Sequence, residues 1–367
     1  MESIARPALL RDQVVRILKG EILHGRPTGS SMPSEPELAR QLKVSRNTVR
    51  AAYAALEADG LIERRRGKGT FLIAKMPHRP RTGDVAVVFF TSAGHMFLLP
   101  FYSRMIGEIC GRAAAAAFYV NLLTHDPKRS EFRYDWREHA ARLEEAVGAL
   151  AVGVFRPAAL EALARRMPLV AADAGGPFAF CDSVVADDFE AGRLATEHLL
   201  ELGHRRIGFV GQVRAEAEVM LDPAHVRRYE GFCEAMGQAQ MWPGEDLLFD
   251  TQGAGRAAYR AVGAALQRPD CPTAFVCVDD TAALGGVDAA IAHGLCVPQD
   301  VSFVGIGDAV PSTVQVGLTT VDLGPEQIGR TAVEQLQRRL AEPAAPPAHR
   351  VVPVRLIERH TTARATW

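Results

Sequence analysis

The sequence predicts two domains of different class. The first, over residues 1–74, is a winged helix-turn-helix (α+β); the second, over 85–362, is an α/β body long enough for two lobes, and residues 75–84 link them. Three observations carry this. Two short capped helix patterns are followed at once by a glycine-centred basic hairpin. From Val85 onward, short β-branched runs alternate with longer helical patterns, which is how a parallel sheet covered by helices is written. Charge is partitioned: residues 1–82 hold 16 Lys+Arg against 8 Asp+Glu, and the rest holds 26 against 35, although the whole chain nets only -1. A basic head on an acidic body suits a polyanion-binding module joined to something else.

In the head, residues 9–24 align Leu10, Val14, Ile17, Leu18 and Ile22 along one helical stripe. Ser34 with Glu37 three residues later forms a capping box, opening a short helix that carries Leu38 and Leu42 on one side. Lys43-Val44 is a tight turn, and Ser45 caps a second helix running to about Asp59 and stopped by Gly60. Val49, Tyr53 and Leu56 share its inward face, leaving Arg46, Asn47 and Arg50 on the opposite side. LIERRR, GKG and TFLI then read as two short strands around a glycine turn carrying Arg64, Arg65, Arg66 and Lys68. Residues 75–84 are basic, contain proline and show no periodicity, as a linker would.

The run MPSEPELARQLKVSRNTVRAAYAALEADGLIERRRGKGTFL resembles the DNA-binding domain of the GntR family of bacterial transcription regulators. VSRNTVR with GKGTF behind it is far more specific than a generic helix-turn-helix. The resemblance implies that Ser45, Arg46, Asn47, Thr48 and Arg50 face the major groove and its phosphates, with Lys68, Gly69 and Thr70 at the wing tip near the minor groove. Ser34 and Arg66 complete the expected DNA-binding set. Pro36 departs from the family, which often has an arginine there.

In the body, strands are expected at 85–90, 119–123, 151–155, 168–173, 183–188, 205–211, 247–250, 273–280, 301–308, 318–323 and 351–357. Helices are expected around 101–117, 134–147, 158–166, 189–203, 223–239, 255–268, 281–294 and 325–341. Ligands of open α/β sheets sit beyond the carboxyl ends of strands, which makes Asp173 and Asp279 candidates for effector binding. Each could instead be a strand-end cap or a hinge salt bridge. His95, Met96, Phe97 and Phe101 follow the first strand, where one cleft wall should lie, although the two phenylalanines could equally be core.

ADDFEAGRLATEHLLELGHRRIGFVG, RRYEGFCEAM, FVCVDDTAALGGVDAAIAHGL and LTTVDL resemble the effector domain of LacI/GalR-type regulators. That domain has the fold of periplasmic sugar-binding proteins, two α/β lobes closing on a small molecule. Its usual DNA-binding module is replaced by the GntR-like head, so the whole chain is similar to arabinose-repressor-type hybrids. The resemblance puts Arg228 at the family's ligand arginine, although it could pair with Glu230 or Glu234 on its own helix. It puts Asp250 or Thr251 where an aromatic platform is usual, with Phe249 close by. Gly307-Asp308 stands where two acidic residues are usual; either Asp308 replaces the missing acid or the site holds another ligand. His198 and His204 read as structural, closing a helix end.

Other classes fit poorly. The six cysteines form no CxxC pair and read as buried free thiols, with no metal site. GIGDAV lacks the third glycine of a dinucleotide fingerprint, RGKGT lacks P-loop spacing, and nothing resembles a nucleophile elbow. An aminotransferase-like body would need a cofactor lysine, and the body's single lysine, Lys128, sits in a loop-like stretch. No catalytic residue and no cofactor is expected. With no apolar leader and no long apolar run, a cytoplasmic protein is expected. The resulting expectation is a ligand-responsive repressor of carbohydrate-utilisation genes, acting as a homodimer on an inverted-repeat operator. The alternative is a regulator whose large domain answers to a protein partner or a non-sugar metabolite.

Overall fold

The computed structural model describes residues 11, 14–15, 17–18, 31–58, 61–65, 68–72, 83–89, 100–124, 143, 145–212, 222–251 and 255–365. The chain divides into two compact units, 1–80 and 81–367.

In the first unit, α1 (Glu35–Gln41) starts at the expected capping box, with Ser34 and Glu37 reciprocally bonded. Helix α2 (Arg46–Ala58) is capped by Ser45, whose hydroxyl accepts from the Thr48 N–H at 3.1 Å. Val49, Tyr53 and Leu56 are fully buried and pack with Val14, Leu18 and Leu38, so the apolar stripe is the core. Burial of such side chains contributes about 1.5–3 kcal/mol each. β1 (Ile62–Arg65) and β2 (Gly69–Leu72) pair antiparallel as the wing, with Ile62 and Leu72 turned into the same core.

The second unit holds two six-stranded sheets. The first lobe contains β3 (Gly83–Phe89), α3 (Pro100–Ala115), β4 (Phe118–Thr124), β5 (Ala146–Val152), α4 (Pro157–Ala164), β6 (Leu169–Ala172) and β7 (Asp182–Ala186). The second lobe contains α5 (Asp188–Glu201), β8 (Ile207–Val210), α6 (Pro223–Gln238), β9 (Leu248–Phe249), α7 (Arg256–Leu266), β10 (Ala274–Cys277), α8 (Asp280–Ala292), β11 (Ser302–Gly307), α9 (Pro311–Val316) and β12 (Thr319–Asp322). Helix α10 (Pro325–Ala341) and β13 (His349–Val352) return to the first lobe, and β14 (Arg355–Ile357) goes back to the second. The chain thus crosses between lobes three times, after β7, β12 and β13. The sheet orders are β13-β7-β6-β5-β3-β4 and β14-β12-β11-β10-β8-β9, parallel except for β14. Both faces of the first sheet are covered: Val85, Val87 and Phe89 enter one cluster and Ala86 and Val88 the other.

Four expectations need correction. The strand predicted at 151–155 is Ala146–Val152, five residues earlier, because the run from Ala146 to Phe155 has no polar residue to mark its start. Gly153, at φ +91, ends it. The predicted strand 351–357 is two strands in different sheets, since Pro353 between them cannot donate to a ladder. Helix α9 was not foreseen, because six residues of PSTVQV carry too few turns to show a period. Gly83 and Asp84, assigned to the linker, open β3. The rest of the expected linker, and most of the helix expected at 134–147, lie outside the described residues.

The cysteines are free, but Cys110 and Cys296 are exposed and only Cys181 and Cys277 are buried, so the expectation of buried thiols holds for a minority. Among the described residues no cluster of His, Cys, Asp and Glu could hold a metal. No described helix is long and apolar enough to cross a membrane.

Candidate functional site

The head offers a reading face at the start of α2. Arg46 and Asn47 are exposed there, while the cap consumes Ser45 and Thr48, whose hydroxyls are 2.7 Å apart. Ser34 is likewise occupied, donating to Glu37 at 2.7 Å. Arg50 is not free either: its Nε donates to Glu35 of α1 at 3.1 Å. Arg64 bonds the Arg50 carbonyl and lies near Glu35 and Glu57, and Arg65 bonds Glu63 and lies over the Phe71 ring. Glu35, which the sequence reading passed over, therefore ties α1, α2 and the wing together. At the wing tip Lys68 is exposed and Gly69 takes φ +105, with open space where a side chain would stand. Thr70 is half-buried in β2, and Arg66 lies outside the described residues.

In the body, a cavity of about 180 Å³ lies between the lobes. The first lobe supplies Phe101 and Tyr102 from the start of α3 and Asp173 from the end of β6. The second supplies Asp222, His225 and Arg228 from the start of α6, Asp279 and Asp280 after β10, and Ile306 and Gly307 at the end of β11. A neighbouring cavity of about 470 Å³ shares Asp173, Asp222 and Ala224 with it and is lined further by Asp187, Asp188, Phe189, Arg227 and His349. Of the sequence-predicted effector residues, Asp173, Arg228, Asp279 and Phe101 converge here. His95 and Phe97 lie outside the described residues.

Arg228 is buried and its partner is not on its own helix. Its Nε donates to Asp188 Oδ1 at 2.8 Å, and Nη1 donates to the Val278 carbonyl at 2.8 Å. Burial opposes its charge, but the Asp188 and Asp222 carboxylates outweigh that and hold its pKa above the usual guanidinium value. Close helix contact makes this pair possible: a methyl group at Gly192 of α5 would stand 1.9 Å from the Arg228 carbonyl oxygen. Only glycine lets the two helices approach so nearly.

Asp173 adopts φ +56, a left-handed conformation that aspartate tolerates better than most residues. Burial, then the facing charges of Asp222 and Asp188, push its carboxyl up to about 8, while its hydrogen bond to Tyr102 and the Arg228 charge pull the other way. At neutral pH it is mostly a protonated acid, able to donate. Tyr102 is driven far above the ordinary phenol range, by burial first and by the Asp173 and Asp222 charges next. Asp279 caps α8 by accepting from the Ala282 N–H at 2.7 Å, so the cap reading applies while its other oxygen remains for the cavity. Asp280 accepts from Thr320 at 2.5 Å and from the Ala309 N–H at 3.3 Å. Burial still lifts it to about 6.

Asp308 is a correction. It lines neither cavity and instead accepts from Arg359 at 2.7 Å, while its carbonyl accepts from Arg104 at 2.7 Å. Gly307 and Asp308 are successive positive-φ residues (φ +141 and +47), which turns the chain there. Asp250 and Thr251 do not line the cavities, and Phe249 packs edge-on against Phe275 in the core. Aromatic surface comes from the other lobe, through Phe101 and Tyr102. His198 bonds Thr362 and His204 bonds Thr273 and the Ala363 carbonyl, so both anchor the C-terminal segment. Sequence reasoning missed Tyr102, Asp222, His225 and Asp280. Asp222 was visible in principle, since Asp followed by Pro223 is an N-cap and first-turn signal.

Comparison with known families separates the same two units. The model described as bacterial regulatory proteins, gntR family, matches residues 10–72, and the periplasmic binding protein-like domain matches 196–362. The chain is a gntR-type head on a periplasmic-binding-protein-like body. This hybrid is 29% identical over 337 residues to the arabinose metabolism transcriptional repressor of Geobacillus stearothermophilus, covering 87% of this chain and 89% of the relative. It is 34% identical over 179 residues to the HTH-type transcriptional repressor PurR of Aliivibrio salmonicida, but there it spans only 51% of the relative's length. Its fold matches a LacI family regulator from Enterococcus faecium with bound ribose at TM-score 0.65 and 23% identity, covering 77% of this chain and 100% of that one. A LacI family regulator from Mycobacterium smegmatis matches at TM-score 0.62 and 27% identity, with 77% and 100% covered. The relatives of the hybrid are transcription regulators.

Proposed function

We propose that the chain is a ligand-controlled transcriptional repressor of carbohydrate-utilisation genes. Arg46 and Asn47 read base edges in the major groove, Arg50 and Thr48 lie against the backbone, and Lys68, Gly69 and Thr70 place the wing. A homodimer sets two heads on the half-sites of an inverted repeat, because a two-fold protein asks for a two-fold operator. A sugar-like effector enters between the lobes and is held by Asp173, Arg228 and Asp279, with Phe101 and Tyr102 as apolar wall. The observation that carries this reading is the cavity at strand carboxyl ends, walled by both lobes and flanked by three chain crossings that can act as a hinge. Further support comes from the arabinose repressor, similar along nearly the whole chain, and from the ribose-bound structure of like fold. Closure on the ligand changes the presentation of the heads, and coupling of about 1–3 kcal/mol would alter operator affinity by about 5- to 150-fold. The role is cytoplasmic and requires no catalysis.

The test joins operator selection with effector titration on the full chain. Duplexes enriched from a random pool should contain an inverted repeat, and a sugar from a screen of a few dozen should shift their retardation. Asp279→Asn keeps an N-cap-competent side chain, so it should retain operator binding and lose the effector response. Operator binding that no variant of Arg46 or Asn47 weakens, or an Asp279→Asn protein that responds like the parent, would remove the assignment.

A further inference from the structure

The charge of the cleft says more about its ligand than its size does, granted the effector reading above. Helix N-termini are ready anion sites, because their first N–H groups are unpaired and their dipole is positive. Of the helices that begin at the two joined cavities, α5, α6 and α8 each have their start filled by an aspartate of this chain. Helix α3 and the short α9 open on the smaller cavity with a proline first, and α9 has no side-chain cap. Asp187 accepts from the Glu190 N–H at 3.1 Å, Asp222 from the Ala224 N–H at 2.9 Å, and Asp279 from the Ala282 N–H at 2.7 Å. The cations are committed as well. Arg228 is forked onto Asp188, and Arg227 pairs with Glu230 while lying over the Phe189 ring. On the smaller cavity's wall the other basic side chain is His225, whose Nε2 stands 3.9 Å from Asp222 and whose Nδ1 is buried without a partner. Lining the space beside them are Asp173, Asp222 and Asp279, the last two with only one oxygen each used in the cap.

We propose that the effector carries a protonated amine on a polyhydroxyl frame, and that this cleft rejects sugar acids and sugar phosphates. An anion entering here meets carboxylates, three of them already seated on helix starts, and must be stripped of water beside like charge. A cationic nitrogen meets the Asp222 and Asp279 carboxylates from the second lobe and, once bound, favours ionisation of Asp173 from the first, so it bonds both walls and draws them together. Ring hydroxyls find Asp280, Thr281 and the Arg228 side, while Phe101 covers apolar C–H surface.

The test is calorimetry and thermal shift on the full chain with matched sets on hexose and pentose frames: the parent sugar, its amino sugar, its acid and its phosphate. On the best-fitting frame the amino sugar should bind at least about 10-fold tighter than the parent, with the acid and phosphate weakest. Asp222→Asn, whose amide oxygen can still cap α6, should remove most of the amine's advantage over the parent. A parent sugar binding as tightly as its amine overturns the inference and leaves the sugar-effector reading standing, and so does an acid or phosphate that binds tightest. Silence from every compound, in a protein that still retards its operator, overturns both the inference and the small-molecule reading.

Discussion

Replacing Asp188 by Ala tests whether the hinge side of the cleft is held by charge. Its carboxylate and the Arg228 guanidinium are each about 8% exposed and lie 2.8 Å apart, with two guanidinium nitrogens on one oxygen. Removing one member of such a pair strands a buried charge, which costs about 3–5 kcal/mol. The lower end is expected, because the Asp222 and Asp173 charges also act on Arg228 and can take over part of its compensation. At roughly 2–4 °C per kcal/mol for a large domain, the body's unfolding midpoint should fall by about 6–12 °C at the lower end of that range. Asp188→Asn should lose less, since its amide oxygen still accepts from Nε. Calorimetric unfolding of the full chain reads the body's transition directly. A midpoint within about 1 °C of the parent for Asp188→Ala would mean that the pair contributes nothing net and that the reasoning about burial is wrong.

The raised Asp173 carboxyl makes stability depend on pH with a definite sign. Unfolding lets it ionise near its ordinary value, so the body should lose stability as pH rises from about 4 to about 8 and level off above. Asp173→Asn, which tolerates the left-handed backbone, should flatten that slope and gain a few kcal/mol at pH 8.5, as urea midpoints at pH 5 and 8.5 would show; equal slopes would refute it. In the head, Arg46→Ala should weaken operator binding by about 1–3 kcal/mol in fluorescence anisotropy. Arg50→Ala should cost less, because that guanidinium already answers to Glu35; the reverse order would exchange their roles. Gly192→Ala should destabilise by at least about 1–3 kcal/mol, since its methyl would meet the Arg228 carbonyl at 1.9 Å. A neutral result in urea unfolding would show that α5 and α6 can separate without loss.

Much of this molecule was legible in local chemistry. The Ser34–Glu37 box, the Ser45 cap, the Val49, Tyr53 and Leu56 stripe and the glycine-turned wing each involve residues within a few positions of one another, so spacing alone specifies them. Strand–helix alternation likewise declared a parallel α/β body, and the ends of its strands pointed to Asp173 and Asp279. Boundaries failed where the chain offered no punctuation, as in the apolar run from Ala146 to Phe155, or where one proline split a strand between two sheets.

Partners distant in sequence were decided only by the tertiary fold. Arg228 chooses Asp188, 40 residues away, over the glutamates of its own helix because two glycines let α5 and α6 touch. Asp308 leaves the cleft for Arg359, and Tyr102 and His225 enter it, with no local signal for either. Capping, amphipathic period and turn chemistry act over one or two turns of chain, so sequence alone determined the elements and the class of each domain. The charge state of Asp173 and the acid balance of the cleft depend on desolvation and on carboxylates brought together from both lobes, and only folding sets those distances.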